Sequence, residues 1–142
     1  MATFDLTGRT ALVTGGNGGI GLGIATALAE AGANVVIAGR DEEKNQAASK
    51  QIEGQGGQCR SLKCDVDNLD DIDAAIAETT DAFGGLQILV NNAGIAAGES
   101  PENMTDAIWD SVIDTNLRSV FRFSRQAFET MKKAGFGKII NI

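Results

Sequence analysis

The 142-residue sequence contains no tyrosine and no histidine, so two side chains that often transfer protons in enzymes are missing. Basic residues are also scarce, because 12 lysines and arginines stand against 19 acidic residues, for a net charge of −7. A surface of that sign repels a phosphate backbone, which excludes nucleic acid as the main partner. We also predict no metal site.

The sequence has neither a long apolar run nor a leader pattern. No run approaches the ~20 residues that span a bilayer, and residues 1–5 lack the basic and then apolar layout of a secretory signal. We therefore expect a cytoplasmic protein without a membrane partner. The only two cysteines, Cys59 and Cys64, flank one predicted strand at an odd spacing, which directs them to opposite faces and excludes a bridge between them. Both are expected to be reduced thiols.

Short β-branched runs alternate with helical stretches from residue 10 onwards. Five strands are predicted, at residues 10–14, 34–38, 60–64, 87–91 and 138–142. Asp41 and Asn68 are predicted to cap the second and third helices, and Gly32 to end the first. This alternation predicts the α/β class, with a Rossmann-type, doubly wound parallel sheet. All of residues 1–142 are assigned to one such domain.

A glycine-rich turn, residues 14–21, follows the first predicted strand and opens an amphipathic helix. Gly15 allows the tight turn, Gly19 lets backbone approach a pyrophosphate, and Gly21 lets helix and sheet pack closely. The helix N-terminus offers unpaired N–H groups to an anion. The alternative is a flexible turn without a ligand, but the strand before and the helix after favour phosphate binding. The predicted contacts in this turn are Gly15, Asn17, Gly18, Gly19, Ile20 and Gly21.

A second turn, Asn91-Asn92-Ala93-Gly94, follows the fourth predicted strand. In a sheet of order 3-2-1-4-5 that strand lies beside the first, so both turns leave the sheet at the topological switch point, where ligands bind. The alternative is an ordinary turn, since asparagine and glycine both favour turns.

The glycine turn has the spacing T-G-x-x-x-G-x-G, and Asp65-Val66, Asn91-Asn92-Ala93-Gly94, Asn116 and a strand at 139–142 follow in order. This series resembles the short-chain dehydrogenase/reductase family over essentially the whole chain. The resemblance implies a bound nicotinamide dinucleotide. It further implies that Asn92, Ala93 and Gly94 shape the adenosine side of the pocket and that Asp65 and Val66 contact the adenine.

Arg40 stands about twenty residues beyond the glycine turn, where Asp or Glu usually meets the cofactor's 2′-hydroxyl. A guanidinium can fork onto a 2′-phosphate, whereas a carboxylate would repel it. This favours NADP(H), with NAD(H) as the alternative if Arg40 is solvated or stacks on the adenine. The lack of a basic side chain at residues 16–18 weakens the preference.

Asn116 interrupts the apolar stripe of a predicted long helix that starts at Thr105 and includes Trp109, Phe121 and Phe128. A polar amide there needs partners, and a local structural hydrogen bond is one alternative. The resemblance implies another, in which Asn116 belongs to an Asn-Ser-Tyr-Lys catalytic tetrad and holds a water of the proton relay. The other three members are expected after residue 142, with the remaining strands and helices of the family fold.

The chain is accordingly interpreted as the amino-terminal, cofactor-binding portion of an NAD(P)(H)-dependent oxidoreductase, inactive alone. The complete enzyme would move hydride between nicotinamide and a small alcohol or carbonyl substrate. One alternative is a catalytically inactive nucleotide-binding or regulatory module. Another is a methyltransferase-like domain, which would prefer an acid near residues 39–40. The resemblance also implies a homo-oligomer, a dimer or tetramer, formed through the helix at residues 105–134.

Overall fold

The computed structural model describes residues 4–142; residues 1–3, included in the search for a leader, lie outside this range. Five strands form one parallel sheet in the order 3-2-1-4-5, which confirms the predicted Rossmann-type topology. The third strand starts two residues before its predicted position because Gln58 pairs with Asn34. The strands are β1 (Thr10–Thr14), β2 (Asn34–Gly39), β3 (Gln58–Lys63), β4 (Ile88–Asn91) and β5 (Lys138–Asn141).

The first three helices connect consecutive strands, and capping residues predicted from the sequence lie at their ends. The Asp41 carboxylate accepts a hydrogen bond from the Lys44 N–H, and the Asn68 side chain accepts from two N–H groups of the next helix, so both predicted caps are confirmed. Gly32 follows the first helix with φ +96°. The helices are α1 (Gly19–Glu30), α2 (Glu42–Gly54), α3 (Leu69–Phe83), α4 (Asp106–Ile113) and α5 (Ser119–Ala134).

The hydrophobic core has two halves, one on each face of the sheet. α1 and α2 cover the face that carries Val13 and Ile37, whereas α3 and α5 cover the face that carries Leu12 and Leu89. Every residue of β1 and β4 is buried. These strands read as continuous apolar runs because a parallel sheet is covered on both faces. Their carboxyl ends are therefore rigid supports for the turns that follow.

The long helix predicted from Thr105 is confirmed over residues 106–134, but it is not a regular α-helix throughout. A π turn, Asp114–Arg118, separates α4 from α5. The wider turn shifts the register of the side chains, so the predicted single apolar stripe divides. Phe123 is buried against the sheet, while Trp109, Phe121 and Phe128 are 55–59% exposed. None of the helices described in residues 4–142 is both long and apolar enough to cross a membrane.

Candidate functional site

A cleft of about 330 Å³ opens where the carboxyl ends of β1, β2 and β4 meet the loop after β3. It lies at the switch point of the sheet, where the chain leaves β1 towards one side and β4 towards the other. Several polar groups converge on it, and convergent polar groups are what fixes the orientation of a ligand in a pocket. The lining residues include Gly15, Asn17, Gly39, Arg40, Lys44, Asp65, Val66, Asn92, Ala93, Gly94 and Thr115.

The glycine turn packs directly on the turn after β4. Gly15 has φ +63°, and a Cβ there would lie 3.0 Å from the side-chain Nδ2 of Asn92 and 3.1 Å from the Ala93 Cα. A Cβ at Gly21 would overlap the Gly15 carbonyl oxygen and the Asn92 amide. Glycine at these two positions is therefore required by the contact between the two turns. The close contact at Gly21 is between the helix and the two turns, and the helix-to-sheet packing expected of it stays a prediction.

The N-terminus of α1 is open. Its N-cap residue, Gly18, makes no side-chain capping hydrogen bond, and a Cβ on Gly18 or Gly19 would meet no atom within 4 Å. Ile20 is 69% exposed beside them. The first N–H groups of a helix lack partners within the helix and carry the positive end of its dipole. This end of α1 can therefore receive an anion.

Thr14 ties the two turns together. Its hydroxyl oxygen accepts hydrogen bonds from the backbone N–H groups of Asn92 and Ala93, each at 3.0 Å. In return, the Asn92 side chain donates to the carbonyls of Thr14 and Gly15, at 3.0 and 3.2 Å. The ends of β1 and β4 thus form one hydrogen-bonded unit. Sequence reasoning missed Thr14, although a hydroxyl at the end of an apolar strand was a usable signal.

A buried amide on α2 supports the other side of the cleft. Asn45 is 1% exposed, and its nitrogen donates to the carbonyls of Gly39 and Leu62. Its oxygen accepts from the side chain of Asn17 at 2.7 Å. Sequence reasoning also missed Asn45. Its signal was a polar residue on the helix face that otherwise carries Ala48 and Ile52.

Near the ends of β2 and β3, two lysines form ion pairs, whereas Arg40 forms none in the described part of the chain. Lys44 pairs with Asp41 at 3.7 Å, and Lys63 with Glu42 at 3.3 Å. Within residues 4–142, the exposed Arg40 takes part in no ion pair. Its guanidinium is therefore available to an anionic ligand at the end of β2.

The loop after β3 is tied to the π turn. The Asp65 carboxylate accepts from the Asp67 N–H at 3.1 Å, and the Asp67 carboxylate accepts from the Thr115 hydroxyl at 2.7 Å. Burial raises the pKa of the neighbouring Cys64 thiol to about 12, with nearby Asp71 and Asp65 adding to the effect. Cys64 therefore stays a neutral thiol and is no nucleophile at physiological pH.

Asn116 lies on the π turn rather than in a regular helix. Its Oδ1 accepts from the Ile95 N–H, and its Nδ2 donates to the Ile95 carbonyl, both at 2.8 Å. The structure thus provides the local structural hydrogen bond that sequence reasoning left open. Each amide atom keeps one further hydrogen-bonding capacity. π turns often mark functional positions in helices.

Comparisons with known proteins place the chain in a family. The model of the short chain dehydrogenase family matches residues 9–142. The chain belongs to the short-chain dehydrogenase family. It is 41% identical over 143 aligned positions to 3beta-hydroxysteroid dehydrogenase of Mediterraneibacter gnavus, with 100% of the chain and 51% of that relative covered. It is 40% identical over 137 positions to D-beta-hydroxybutyrate dehydrogenase of Cupriavidus necator, with 96% and 53% covered.

Solved structures of short-chain dehydrogenases share the fold. A metagenomic short-chain oxidoreductase in complex with NADP is 39% identical, with a TM-score of 0.90 over 96% of this chain and 62% of that one. A short-chain type dehydrogenase/reductase from Mycobacterium marinum is 37% identical, with a TM-score of 0.93 over 97% of this chain and 56% of that one. The chain spans about half the length of the curated relatives it matches.

The site positions predicted from the sequence fall into three groups. Gly18, Gly19 and Ile20 lie at the open end of α1, beside the cleft lining. Gly21 is buried beneath the glycine turn, and Asn116 bonds the loop that follows Gly94. The positions that line the cleft itself are Gly15, Asn17, Arg40, Asp65, Val66, Asn92, Ala93 and Gly94.

Proposed function

We propose that this chain is the cofactor-binding part of an NAD(P)(H)-dependent oxidoreductase. Such an enzyme moves hydride between a nicotinamide and a small alcohol or carbonyl substrate. The supporting observation is the meeting of three features at the switch point: the glycine turn, the turn after β4 and the open end of α1. Relatives named as hydroxysteroid and hydroxybutyrate dehydrogenases favour an alcohol or carbonyl substrate.

The chain's own residues divide the work of holding the cofactor, which supplies the hydride acceptor or donor when bound. The N–H groups at the start of α1 would bind the negatively charged phosphates of the cofactor. Gly15 and Gly21 let the two turns approach each other. Asn92 stiffens that approach through its bonds to β1. Asp65 and Val66 form the wall assigned to the adenine. Prearranged groups of this kind bind without a cost of reorganisation.

NADP(H) is the cofactor that we favour, with NAD(H) as the alternative. Arg40 lines the cleft without an ion-pair partner in residues 4–142, whereas Lys44 on the same rim is paired with Asp41. No acidic side chain occupies position 40, where one would select a free 2′-hydroxyl. The NADP complex of the metagenomic relative agrees with this choice.

Asn116 is proposed to hold a water for proton transfer through the donor and acceptor that its Ile95 bonds leave over. The chain contains no tyrosine or histidine, so the proposal assigns the proton donor to residues outside these 142. The alternative function is a catalytically inactive nucleotide-binding or regulatory module, which would bind the cofactor equally well.

Assembly and location form part of the same proposal. The exposed apolar residues of α4, the π turn and α5, namely Trp109, Leu117, Phe121 and Phe128, favour a homo-oligomer formed through residues 105–134. A cytoplasmic location agrees with two free cysteines that face opposite sides of the sheet.

The test is calorimetric titration of the full-length protein with NADPH and NADH, followed by turnover with a panel of ketones and secondary alcohols. Arg40→Ala should weaken NADPH binding by roughly 10- to 100-fold, because a charged hydrogen bond contributes about 1.5–3 kcal/mol, and should change NADH binding little. Arg60→Ala, at an exposed arginine on β3 away from the cleft, is the matched control.

Three results separate the hypotheses. Tight NADPH binding with turnover supports the oxidoreductase, and binding without turnover supports the regulatory module. A protein that binds neither nucleotide contradicts both. Equal losses of NADPH and NADH affinity in Arg40→Ala would contradict the preference for NADP(H) alone.

A further inference from the structure

Asn45 lies behind the glycine turn and has no part in the chemistry proposed above. We propose that Asn45 is a positioning residue: it fixes the Asn17 amide so that its oxygen faces the cleft and accepts a hydrogen bond from a hydroxyl of the adenosine ribose. This inference rests on the proposed function, because it concerns how the same dinucleotide is held. Asn45 would thus contribute to recognition of the cofactor without contacting it.

The orientation of Asn45 follows from its partners. The two ends of an amide have the same shape, so only hydrogen bonding tells oxygen from nitrogen. One end of Asn45 contacts two backbone carbonyl oxygens, Gly39 at 2.7 Å and Leu62 at 2.8 Å. Carbonyl oxygens accept hydrogen bonds and never donate them, so this end must be the NH₂ group. The other end of Asn45 is then an oxygen, which can only accept.

The orientation of Asn17 follows in turn. The Asn17 side chain approaches the Asn45 oxygen at 2.7 Å, and an acceptor requires a donor, so Asn17 turns its NH₂ group inward. No group in residues 4–142 donates to the remaining Asn17 oxygen, and Asn17 lines the cleft. The protein therefore offers a hydrogen-bond acceptor at this point of the cleft.

An acceptor at this position discriminates between parts of the ligand. A hydroxyl can donate to the Asn17 oxygen, whereas phosphate oxygens that carry no proton would be repelled by it. Arg40, at the end of β2, has the opposite preference because a guanidinium only donates. The two residues thus suit neighbouring parts of one adenosine ribose, a hydroxyl at Asn17 and a phosphate at Arg40.

Close packing prevents the two amides from turning over. A Cβ at Gly39 would lie 2.7 Å from the Asn17 nitrogen and 2.8 Å from the Asn45 oxygen, so both amides sit directly on the backbone of β2. Turning Asn45 over would bring its oxygen against two carbonyl oxygens within a buried space. A buried amide without partners is unfavourable, so the observed arrangement is strongly preferred.

The first experiment is a double-mutant cycle in the full-length protein, with NADPH dissociation constants measured by calorimetry. Asn17→Ala and Asn45→Leu should each weaken binding by about three- to tenfold, the range for one net hydrogen bond. The double variant should bind no more weakly than either single variant, because Asn45 acts only through Asn17. If Asn45→Leu does not fold, Asn45→Ala takes its place in the cycle.

The second experiment tests the hydroxyl itself, with ADP and its 2′-deoxy and 3′-deoxy forms as probes. The wild-type protein should bind one of the two deoxy forms about three- to tenfold more weakly than it binds ADP. Asn45→Leu should bind that form and ADP equally. Ile52→Val, on the same buried face of α2, is the control: it should lower the melting temperature and leave the discrimination unchanged.

The outcomes separate this inference from the function on which it rests. If the wild-type protein binds neither NADPH nor NADH, both are overturned. If it binds NADPH but the two substitutions act additively, or if Asn45→Leu keeps the full deoxy penalty, only the positioning role is overturned.

Discussion

The two edge strands of the sheet, β3 and β5, differ in how completely they are covered. Cys59 on β3 and Cys64 just after it are 4% and 1% exposed, and they pack into opposite halves of the core. In β5, by contrast, every residue is exposed, with Ile139 at 38% and Ile140 at 43%. An apolar strand sequence therefore places residues in the sheet, but burial depends on the elements packed against each face.

This difference matters for the candidate site. The cleft forms on the covered side, where α1 and α2 hold the ends of β1 and β2 and the loop after β3 closes one wall. β5 is bonded to β4, and the Asn91 side chain donates to the Asn141 side chain at 2.9 Å. The sheet beneath the candidate site is thus covered on both faces, whereas the β5 side presents open apolar surface.

The largest expected effect on stability comes from replacing one isoleucine by alanine near each edge strand, β3 and β5. Ile52→Ala, in the helix that covers β3, should lower the free energy of unfolding by about 2–5 kcal/mol, because it leaves a cavity at a fully buried site. Ile140→Ala on β5 should cost less than about 1 kcal/mol, as partly exposed positions usually do. Urea denaturation of the 142-residue chain measures both. Equal losses would show that β5 is covered in solution.

A second prediction uses pH to probe the cover over β3. Burial raises the pKa of Cys59 to about 11 and of Cys64 to about 12, above the usual 9.0 for a thiol. A raised folded-state pKa leaves stability intact below pH 9 and removes it as the pH rises from 9 towards 11 and 12. At pH 10 the loss should be on the order of 1 kcal/mol for each thiol.

Urea unfolding at pH 7.5 and pH 10 measures this loss. The double variant Cys59→Ala and Cys64→Ala is the control, because it retains every other titrating group. The wild-type chain should lose more stability between the two pH values than the variant does. The same loss in both would mean that the thiols reach solvent and that the β3 edge is open.

The smallest expected effect concerns the hydrogen bond that joins the π turn to the loop after β3. The Thr115 hydroxyl on the π turn bonds the Asp67 carboxylate in the loop after β3. Thr115→Val keeps the shape and removes that bond, which should cost about 0.5–1.5 kcal/mol in urea denaturation, because solvent around the exposed Asp67 carboxylate weakens a charged bond. Thr80→Val is the matched control, since its hydroxyl bonds only the Ile76 carbonyl within α3. An equal or greater loss in the control would argue that the link contributes nothing.

Local sequence signals predicted much of the fold. Asp41 and Asn68 cap helices through bonds to the next few residues, and alternating strands and helices required a parallel sheet. The glycine turn could be predicted for the same reason, because Gly15 and Gly19 have positive φ and Gly15 and Gly21 lie against close neighbours. Such requirements act over a few residues and so remain visible in a linear sequence.

The features that escaped prediction depend on partners far along the chain. The π turn places Asn116 against Ile95, and Thr14 bonds residues almost eighty positions away in sequence. Asn45 looked like one more polar residue of a surface helix until folding brought Gly39, Leu62 and Asn17 around it. Helical periodicity could place Asn45 on the buried face of α2 but not identify its partners, because its role is set by which groups surround it.

The sequence by itself determined the class of fold, the helix caps and the position of the glycine turn, since these follow from local backbone chemistry and hydrophobic periodicity. Only the tertiary structure decided which apolar residues are buried, where the long helix contains a π turn, and which way the amides at the cleft point. Burial and hydrogen-bond orientation depend on what lies across the core, and that is fixed when the sheet and its helices pack.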